Sequence, residues 1–210
     1  MRPVYGWREQ GAALVTALVL MIAVLLVGFS SVHAALADAQ SARHERDRQI
    51  ALRAAEAALR DAEMELEATP ASSPRFAALA GGGFVAGCGA RGTEQHGLCA
   101  HAAPPAWQAI DLAGDDPALV LYGTFSLRDL GGVTRQPRYL IELMPFGVAH
   151  GRFYRITALG FGPRSATRVV LQSLYRTPPA GPGPPLAWPA GRIGWREVAN
   201  WPALHAAAIK

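Results

Sequence analysis

Residues 11 to 32 read Gly-Ala-Ala-Leu-Val-Thr-Ala-Leu-Val-Leu-Met-Ile-Ala-Val-Leu-Leu-Val-Gly-Phe-Ser-Ser-Val and contain no charged side chain. An α-helix needs about 20 such residues to cross the hydrocarbon core of a bilayer. A buried helix of a soluble domain is seldom so long and so apolar on every face. This stretch, called the apolar segment below, therefore predicts one membrane-spanning helix near the N-terminus.

The residues before the apolar segment indicate its orientation. Arg2 and Arg8 stand there against a single acid, Glu9, and this excess of positive charge favours a cytoplasmic N-terminus. A secretory signal cleaved after Ala34 and a plain uncleaved anchor are two interpretations of such a segment. In both of them the rest of the chain is exported.

A third interpretation depends on the junction from Arg8 to Val15, where a charged leader meets a glycine and then the uninterrupted apolar run. This is the layout of class III signals, which prepilin peptidase cuts on the cytoplasmic side of the membrane. Cleavage between Gly11 and Ala12 would leave the whole apolar segment on the mature chain. We therefore expect residues 1–11 to be a cytoplasmic leader peptide.

The helix is expected to continue well beyond the membrane. Neither Gly nor Pro occurs between residues 29 and 69, and Pro70 supplies the stop. Residues 12–33 should form its transmembrane half and residues 34–69 its amphipathic, periplasmic half. One face of the second half carries apolar residues at spacings of three and four, namely Leu52, Ala55, Leu59, Ala62 and Leu66.

A second stripe of the same half-helix is charged. Its members recur at the same spacing on another face, and they are Arg53, Glu56, Arg60, Glu63 and Glu67. Intrahelical pairs between them contribute only a few tenths of a kcal/mol each, so this stripe is interpreted as a solvated face. The apolar stripe, being narrow and rich in alanine, predicts close packing on a sheet formed by the C-terminal residues.

The run from Gln10 to Leu18 and the later run Ala54-Ala55-Glu56-Ala57-Ala58-Leu59-Arg60-Asp61-Ala62-Glu63 closely resemble the PilX family of type IV pilus minor pilins. Looser likeness extends over residues 97 to 198. The resemblance implies a pilin fold, N-methylation of Ala12 after cleavage, and assembly with other minor pilins, the major pilin and a large tip adhesin. It also implies passage from the inner membrane, with the C-terminal domain periplasmic, to the pilus at the cell surface.

Thr16 is the fifth residue counted from Ala12, at a position where major pilins carry a glutamate. In those proteins the carboxylate is thought to neutralise the N-terminal amine of a neighbouring subunit. Thr16 has no charge to offer, as in PilX-like subunits and the comparable pseudopilins of type II secretion. A subunit placed first in the filament lacks an earlier neighbour, and an unpaired buried carboxylate there would cost several kcal/mol. A position at or near the pilus tip is the hypothesis that follows.

Two cysteines, Cys88 and Cys99, lie in a Gly-rich stretch. An even pair in an exported chain is typical of one disulfide in an oxidising compartment. The alternative is a zinc site formed with His96 and His101, although the close ligand pairing of zinc sites is absent.

Residues 70–177 should form a globular head with this disulfide loop and an antiparallel sheet of about four strands. The strand-like runs cover residues 118–127, 138–144, 153–159 and 167–175. The upper half of the long helix would cover one face of the sheet. The fold class is therefore α+β and pilin-like, with a long N-terminal helix packed on a small antiparallel β-sheet.

Residues 178–210 are rich in Pro and Trp, and six prolines between residues 178 and 189 argue against a central strand there. An extended or polyproline wrap is expected instead. Trp188, Trp195 and Trp201 lie within this tail, where they either form an interface with a partner or pack back on the sheet.

Several functional classes find little support in the sequence. No Gly-x-Ser-x-Gly, His-Glu-x-x-His or phosphate-loop motif occurs, so the chain is not expected to be an enzyme or to hold a cofactor. The net charge of +4 is mild and the arginines are scattered, which argues against nucleic-acid binding. The favoured function is a minor pilin that helps to initiate type IV pilus assembly and remains in the tip complex. A type II secretion minor pseudopilin and an uncleaved, membrane-tethered periplasmic binding module are the alternatives.

Overall fold

The first helix, α1, runs without a break from Gln10 to Leu66. It is seen in a computed structural model, which describes residues 10–146, 151–178 and 190–210. This helix confirms the long N-terminal helix that the absence of Gly and Pro predicted. By contacts the chain divides within α1 into two compact units, residues 1–46 and 47–210.

The described part of the first unit is a single stretch of α1 whose apolar side chains are exposed. By length and composition α1 qualifies as a membrane-crossing helix, because its most apolar 18-residue window has a mean hydropathy of 2.7. None of that window is buried against protein. These side chains therefore need lipid or another subunit to leave water.

The second unit is a mixed α+β head. Its helices after α1 are α2 (Phe76–Gly81), α3 (Ala106–Ala109) and α4 (Trp201–Ala208). Its described strands are β1 (Leu98–Cys99), β2 (Val120–Leu121), β3 (Arg138–Leu143), β4 (Arg152–Phe161), β5 (Arg168–Thr177) and β6 (Gly191–Glu197). The order in the sheet is β1-β3-β4-β5-β6, and β2 pairs with β3 beside β1.

The sheet confirms the α+β fold class with two differences. The pairings of β2, β4, β5 and β6 are antiparallel, whereas the two-residue strand β1 runs parallel to β3. In addition, the strand expected over residues 118–127 shrinks to Val120 and Leu121. Turns follow that pair, and Leu127 lies in the left-handed region and is 93% exposed. The alternating leucines of residues 118–127 therefore predicted a longer strand than the chain forms.

The C-terminal residues also join the head. β6 pairs with β5 along residues 191 to 197, so the sheet extends past the expected boundary at residue 177. The six prolines between residues 178 and 189 precede this strand, which explains why they do not prevent it from pairing. The prediction of an extended wrap at residues 179–189 lies outside the described residues.

Two apolar clusters cover the two faces of the sheet. On one face α1 buries a stripe of alanines, called the alanine stripe below, which consists of Ala51, Ala54, Ala55, Ala58 and Ala62. On the other face α3 and α4 bury Trp107 and Trp201 against Leu140, Leu159 and Phe161. Packing on both faces explains why β4 and β5 are buried along most of their length.

Gly160 of β4 lies at a close approach between the sheet and α1. A Cβ atom at this position would overlap the carbonyl oxygen of Ala51 and the amide nitrogen of Ala55. Small residues on both elements therefore set the spacing between helix and sheet. The close packing that the alanine-rich face predicted is confirmed.

Candidate functional site

The predicted processing site lies at the beginning of α1. The helix starts at Gln10, so the backbone of Gly11 and Ala12 forms part of its first turn. Cleavage between these two residues and N-methylation of Ala12 stay predictions.

Thr16 lies in the exposed apolar part of α1. Its hydroxyl donates a hydrogen bond of 2.9 Å to the carbonyl oxygen of Ala13, one turn earlier in the helix. Thr16 therefore satisfies its polar group within its own helix and carries no charge. It can lie in lipid or against neighbouring helices without an unpaired carboxylate.

A cluster of buried polar side chains joins the end of α1 to the sheet. The hydroxyl of Tyr139 donates to Glu65 Oε1 at 2.9 Å, and Arg75 Nη1 lies 3.7 Å from Glu65 Oε2. One turn earlier, Asp61 Oδ2 accepts a hydrogen bond of 3.0 Å from the amide of Gly123. Glu65, Arg75 and Tyr139 are all at least 90% buried. The cluster therefore ties α1 to β3 and to the segment before α2.

Burial dominates the electrostatics of this cluster. It raises the pKa of Glu65 to about 7, although the charge of Arg75 and the hydrogen bond from Tyr139 act in the opposite direction. Burial likewise lowers the pKa of Arg75 and raises that of Tyr139. Arg75 is held further by the ring of Phe125, whose centroid lies 4.0 Å from the guanidinium carbon. The cluster is thus a tightly packed structural joint.

This joint was not predicted from the sequence. The predicted solvated stripe, which runs from Arg53 to Glu67, includes neither Asp61 nor Glu65. Those two residues are four apart and lie beside the alanine stripe, and this spacing was the available signal. Carboxylates are rarely buried without a partner, and the partners of Asp61 and Glu65 lie far away in the sequence.

The charged stripe itself is partly covered. Both carboxylate oxygens of Glu63 receive hydrogen bonds from Arg192 of β6, at 2.7 and 2.9 Å. Glu67 accepts a hydrogen bond from the hydroxyl of Tyr175, and burial followed by this bond raises the pKa of Tyr175. Arg53 and Arg60 remain exposed, as predicted. The expectation of a wholly solvated stripe is therefore wrong at Glu63, because β6 lies against that end of the stripe.

Cys88 and Cys99 form the disulfide that the sequence predicted. The bond closes a short loop with a sequence separation of 11, and such a closure contributes roughly 3 kcal/mol on the chain-entropy model. The disulfide uses both thiols that the zinc alternative needed. His96 is engaged elsewhere, with its Nε2 atom 3.1 Å from the carbonyl oxygen of Leu119.

The three tryptophans of the tail differ in their surroundings. Trp201 is 4% exposed and donates from Nε1 to the carbonyl oxygen of Trp107 at 3.1 Å. Trp201 therefore packs back on the head, which is the second of the two alternatives given above. Its buried ring is not available to bind a partner. Trp195 on β6 is 57% exposed. Trp188 lies outside the described residues, so its role at an interface stays a prediction.

Comparison with protein families identifies the chain. The family model "PilX N-terminal" matches residues 10–60, and the model "Type IV pilus assembly protein PilX C-term" matches residues 85–177. The chain belongs to the PilX family. Searches of curated proteins and of solved structures found no match.

The two PilX matches cover most of α1 and most of the head. The N-terminal match covers the apolar segment and most of the alanine stripe, and the C-terminal match covers the disulfide and strands β1 to β5. This PilX-family chain is thus a type IV pilus-related pilin, a structural component that acts with other components of the pilus. The C-terminal match ends at residue 177, before β6 begins.

Proposed function

We propose that the chain is a minor pilin of a type IV pilus that helps to initiate assembly and remains in the tip complex. Membership of the PilX family supports a role in a type IV pilus. The neutral Thr16 is the observation that supports a position in the tip complex. The chain acts as a structural subunit and not as an enzyme.

The argument from Thr16 is electrostatic. A glutamate at this depth in a filament core needs the N-terminal amine of an adjoining subunit, because a buried carboxylate without a partner costs several kcal/mol. A subunit at the tip has no such neighbour on one side. A threonine whose hydroxyl is satisfied by Ala13 avoids the cost.

The proposed route runs from the inner membrane to the cell surface. The chain inserts with its N-terminus cytoplasmic and its head periplasmic, and prepilin peptidase cuts between Gly11 and Ala12. The disulfide of the head supports export to an oxidising compartment. The mature subunit then enters the filament with other minor pilins, the major pilin and a large tip adhesin.

Mass analysis of the mature N-terminus tests the route. A chain that begins at Ala12 and carries one methyl group on its amine supports the proposal. A mature chain that begins at Met1 or Ala35 contradicts it and favours a tethered binding module or a secreted domain. Deletion of the gene separates the two filament systems, because loss of surface pili supports a type IV pilus and loss of protein secretion supports a pseudopilin.

A substitution at Thr16 tests the position at the tip. Thr16→Glu should reduce the number of pili per cell at least tenfold, because it places an unpaired carboxylate in the core. Thr16→Gln is the matched control, since it has nearly the same shape without the charge. Equal pilus numbers in the two variants would contradict the charge argument.

A further inference from the structure

Among the described residues, β6 is an edge strand of the sheet. Its neighbour in the sheet is β5, and the order of the sheet ends at β6. All six residues from Arg192 to Glu197 are exposed. An edge strand presents unpaired N–H and C=O groups, which can accept a further strand.

The pairing with β5 shows which backbone groups face outward. The amide of Val198 donates to the carbonyl oxygen of Val170, directly opposite, at 2.9 Å. Hydrogen-bonded and non-hydrogen-bonded pairs alternate along an antiparallel ladder. Arg196 and Gly194 therefore bond to β5, whereas the N–H and C=O groups of Trp195 and Glu197 point away from it.

The charge along this edge is unbalanced at one residue. Arg192 pairs with Glu63 of α1, and Glu197 pairs with Arg48 at 2.6 Å. Arg196 instead donates from Nε and Nη2 to the amide oxygen of Gln172, at 3.1 and 2.8 Å. Within residues 10–146, 151–178 and 190–210, no carboxylate lies within ion-pair distance of Arg196. It is an exposed cation with a neutral partner.

An amphipathic groove runs beside Arg196 on the sheet face opposite α1. Its apolar lining includes Met144, Phe146 and Leu174. Phe146 is 51% exposed, and an exposed aromatic ring beside a cation is typical of a surface that receives a partner. Backbone donors and acceptors, one cation and an apolar groove thus lie together.

We propose that β6 receives an extended, acid-containing segment of another pilus protein as an added strand. The backbone of the segment pairs with Trp195 and Glu197, one of its carboxylates pairs with Arg196, and an apolar side chain enters the groove. This inference rests on the proposed function, which supplies the neighbouring subunits.

Charge complementarity decides between a different protein and a second copy of this chain. A second β6 would bring its own Arg196 against this edge, and like charges on adjoining strands are destabilising. An acidic segment neutralises Arg196 instead. The bulge at Leu174 and Tyr175 also interrupts the regular register that self-pairing of two β6 strands would use.

Proline substitution at outward-facing positions tests the added strand. Glu197→Pro removes an N–H group that β5 does not use, and Glu197→Ala keeps that group while losing the same ion pair with Arg48. The full-length chain is produced in piliated cells with the photo-crosslinker p-benzoylphenylalanine in place of Ile193. Cross-linked peptides are then identified by mass spectrometry.

We expect the cross-link to map to an acid-containing segment of another pilus protein. Its yield should fall at least tenfold in Glu197→Pro and less than twofold in Glu197→Ala. Arg196→Glu should reduce it at least tenfold, whereas Arg196→Lys should largely retain it. Formation of the Cys88–Cys99 disulfide reports folding of each variant. If Glu197→Pro does not form this disulfide, Trp195→Pro and Trp195→Ala are compared instead.

Two outcomes would overturn the inference. Equal yields in the proline and alanine variants would show that the outward N–H groups pair with nothing, and a cross-link to a second copy would show self-association. Both outcomes are read on chains that begin at Ala12 and are present in pili. If no chain that begins at Ala12 is present in pili, the proposed function itself is contradicted.

Discussion

Two parts of one helix treat apolar residues in opposite ways. In the apolar segment, large side chains such as Leu20 and Met21 are about two-thirds exposed, at 66% and 69%. In the alanine stripe, Ala51, Ala55 and Ala58 are fully buried against the sheet, at 0% exposure. Large apolar side chains are thus exposed in the first part of α1, whereas in the second part even alanines are fully buried.

This difference shows that the two parts of α1 lose contact with water in different surroundings. The alanine stripe meets the chain's own sheet, and its small size permits the close approach at Gly160. The apolar segment has no such partner within the described chain, so its burial requires lipid or other subunits. A helix that can exchange lipid for neighbouring helices suits a filament subunit.

The largest expected effect comes from widening the contact between α1 and the sheet. Gly160→Ala should lower the free energy of unfolding by about 3 kcal/mol, because its methyl group would overlap the backbone of α1. Urea titration of the full chain in detergent, followed by the fluorescence of the buried Trp107 and Trp201, measures it. Gly131→Ala is the control, since a Cβ there meets open space, and equal losses in both variants would contradict close packing.

A charge in the apolar segment should prevent its transfer to lipid. Leu20→Arg lies near the middle of the segment and should cost about 3 kcal/mol of insertion free energy. The share of the chain that resists carbonate extraction from membranes measures this loss. Leu36→Arg, beyond the segment, should have little effect, and similar extraction of both variants would show that residues 11–32 do not span the membrane.

Glu65, near the end of α1, should make the stability of the head depend on pH. The pKa of Glu65 rises from 4.5 to about 7 on burial, so the folded head binds an additional proton between these values. The free energy of unfolding should therefore decrease by about 2.5 kcal/mol between pH 5 and pH 8. Denaturation at several pH values measures it. Glu65→Gln keeps the acceptor for Tyr139 and should flatten this part of the profile, and an unchanged slope would exclude Glu65 as its cause.

The smallest expected effect concerns the charged stripe. Glu63→Gln removes the ion pair with Arg192 and should lower the free energy of unfolding by about 1 kcal/mol, since the pair is only partly buried. Arg53→Gln, on the exposed part of the same stripe, should change it by less than about 0.5 kcal/mol. The difference should shrink at high salt. If both substitutions were neutral, the stripe would act as a solvated face along its whole length.

The predictable features were those with local signals. The uncharged run, the missing Gly and Pro, and the stop at Pro70 led to α1, which ends at Leu66. Alternating residues led to β3, β4 and β5, and the same signal failed at residues 118–127. There Gly123 and Leu127 adopt the left-handed conformation, so the chain turns where alternation predicted a strand.

The unpredicted features depend on contacts between distant residues. Tyr139 and Glu65 are 74 residues apart, and Glu63 and Arg192 are 129 residues apart. Nothing in the spacing of either residue indicates its partner. For the same reason the sequence left Trp195 and Trp201 equivalent, although one is exposed on β6 and the other is buried beside Trp107.

By itself the sequence determined the apolar segment, the long helix, the disulfide pair and the PilX likeness, because each is written in neighbouring residues. Only the tertiary structure decided which side chains leave water. It buried Glu65 and Trp201, placed β6 at the edge of the sheet and turned the groups of Trp195 and Glu197 outward. The physical reason is that burial and strand pairing are properties of assembled surfaces, and these form only when distant segments meet.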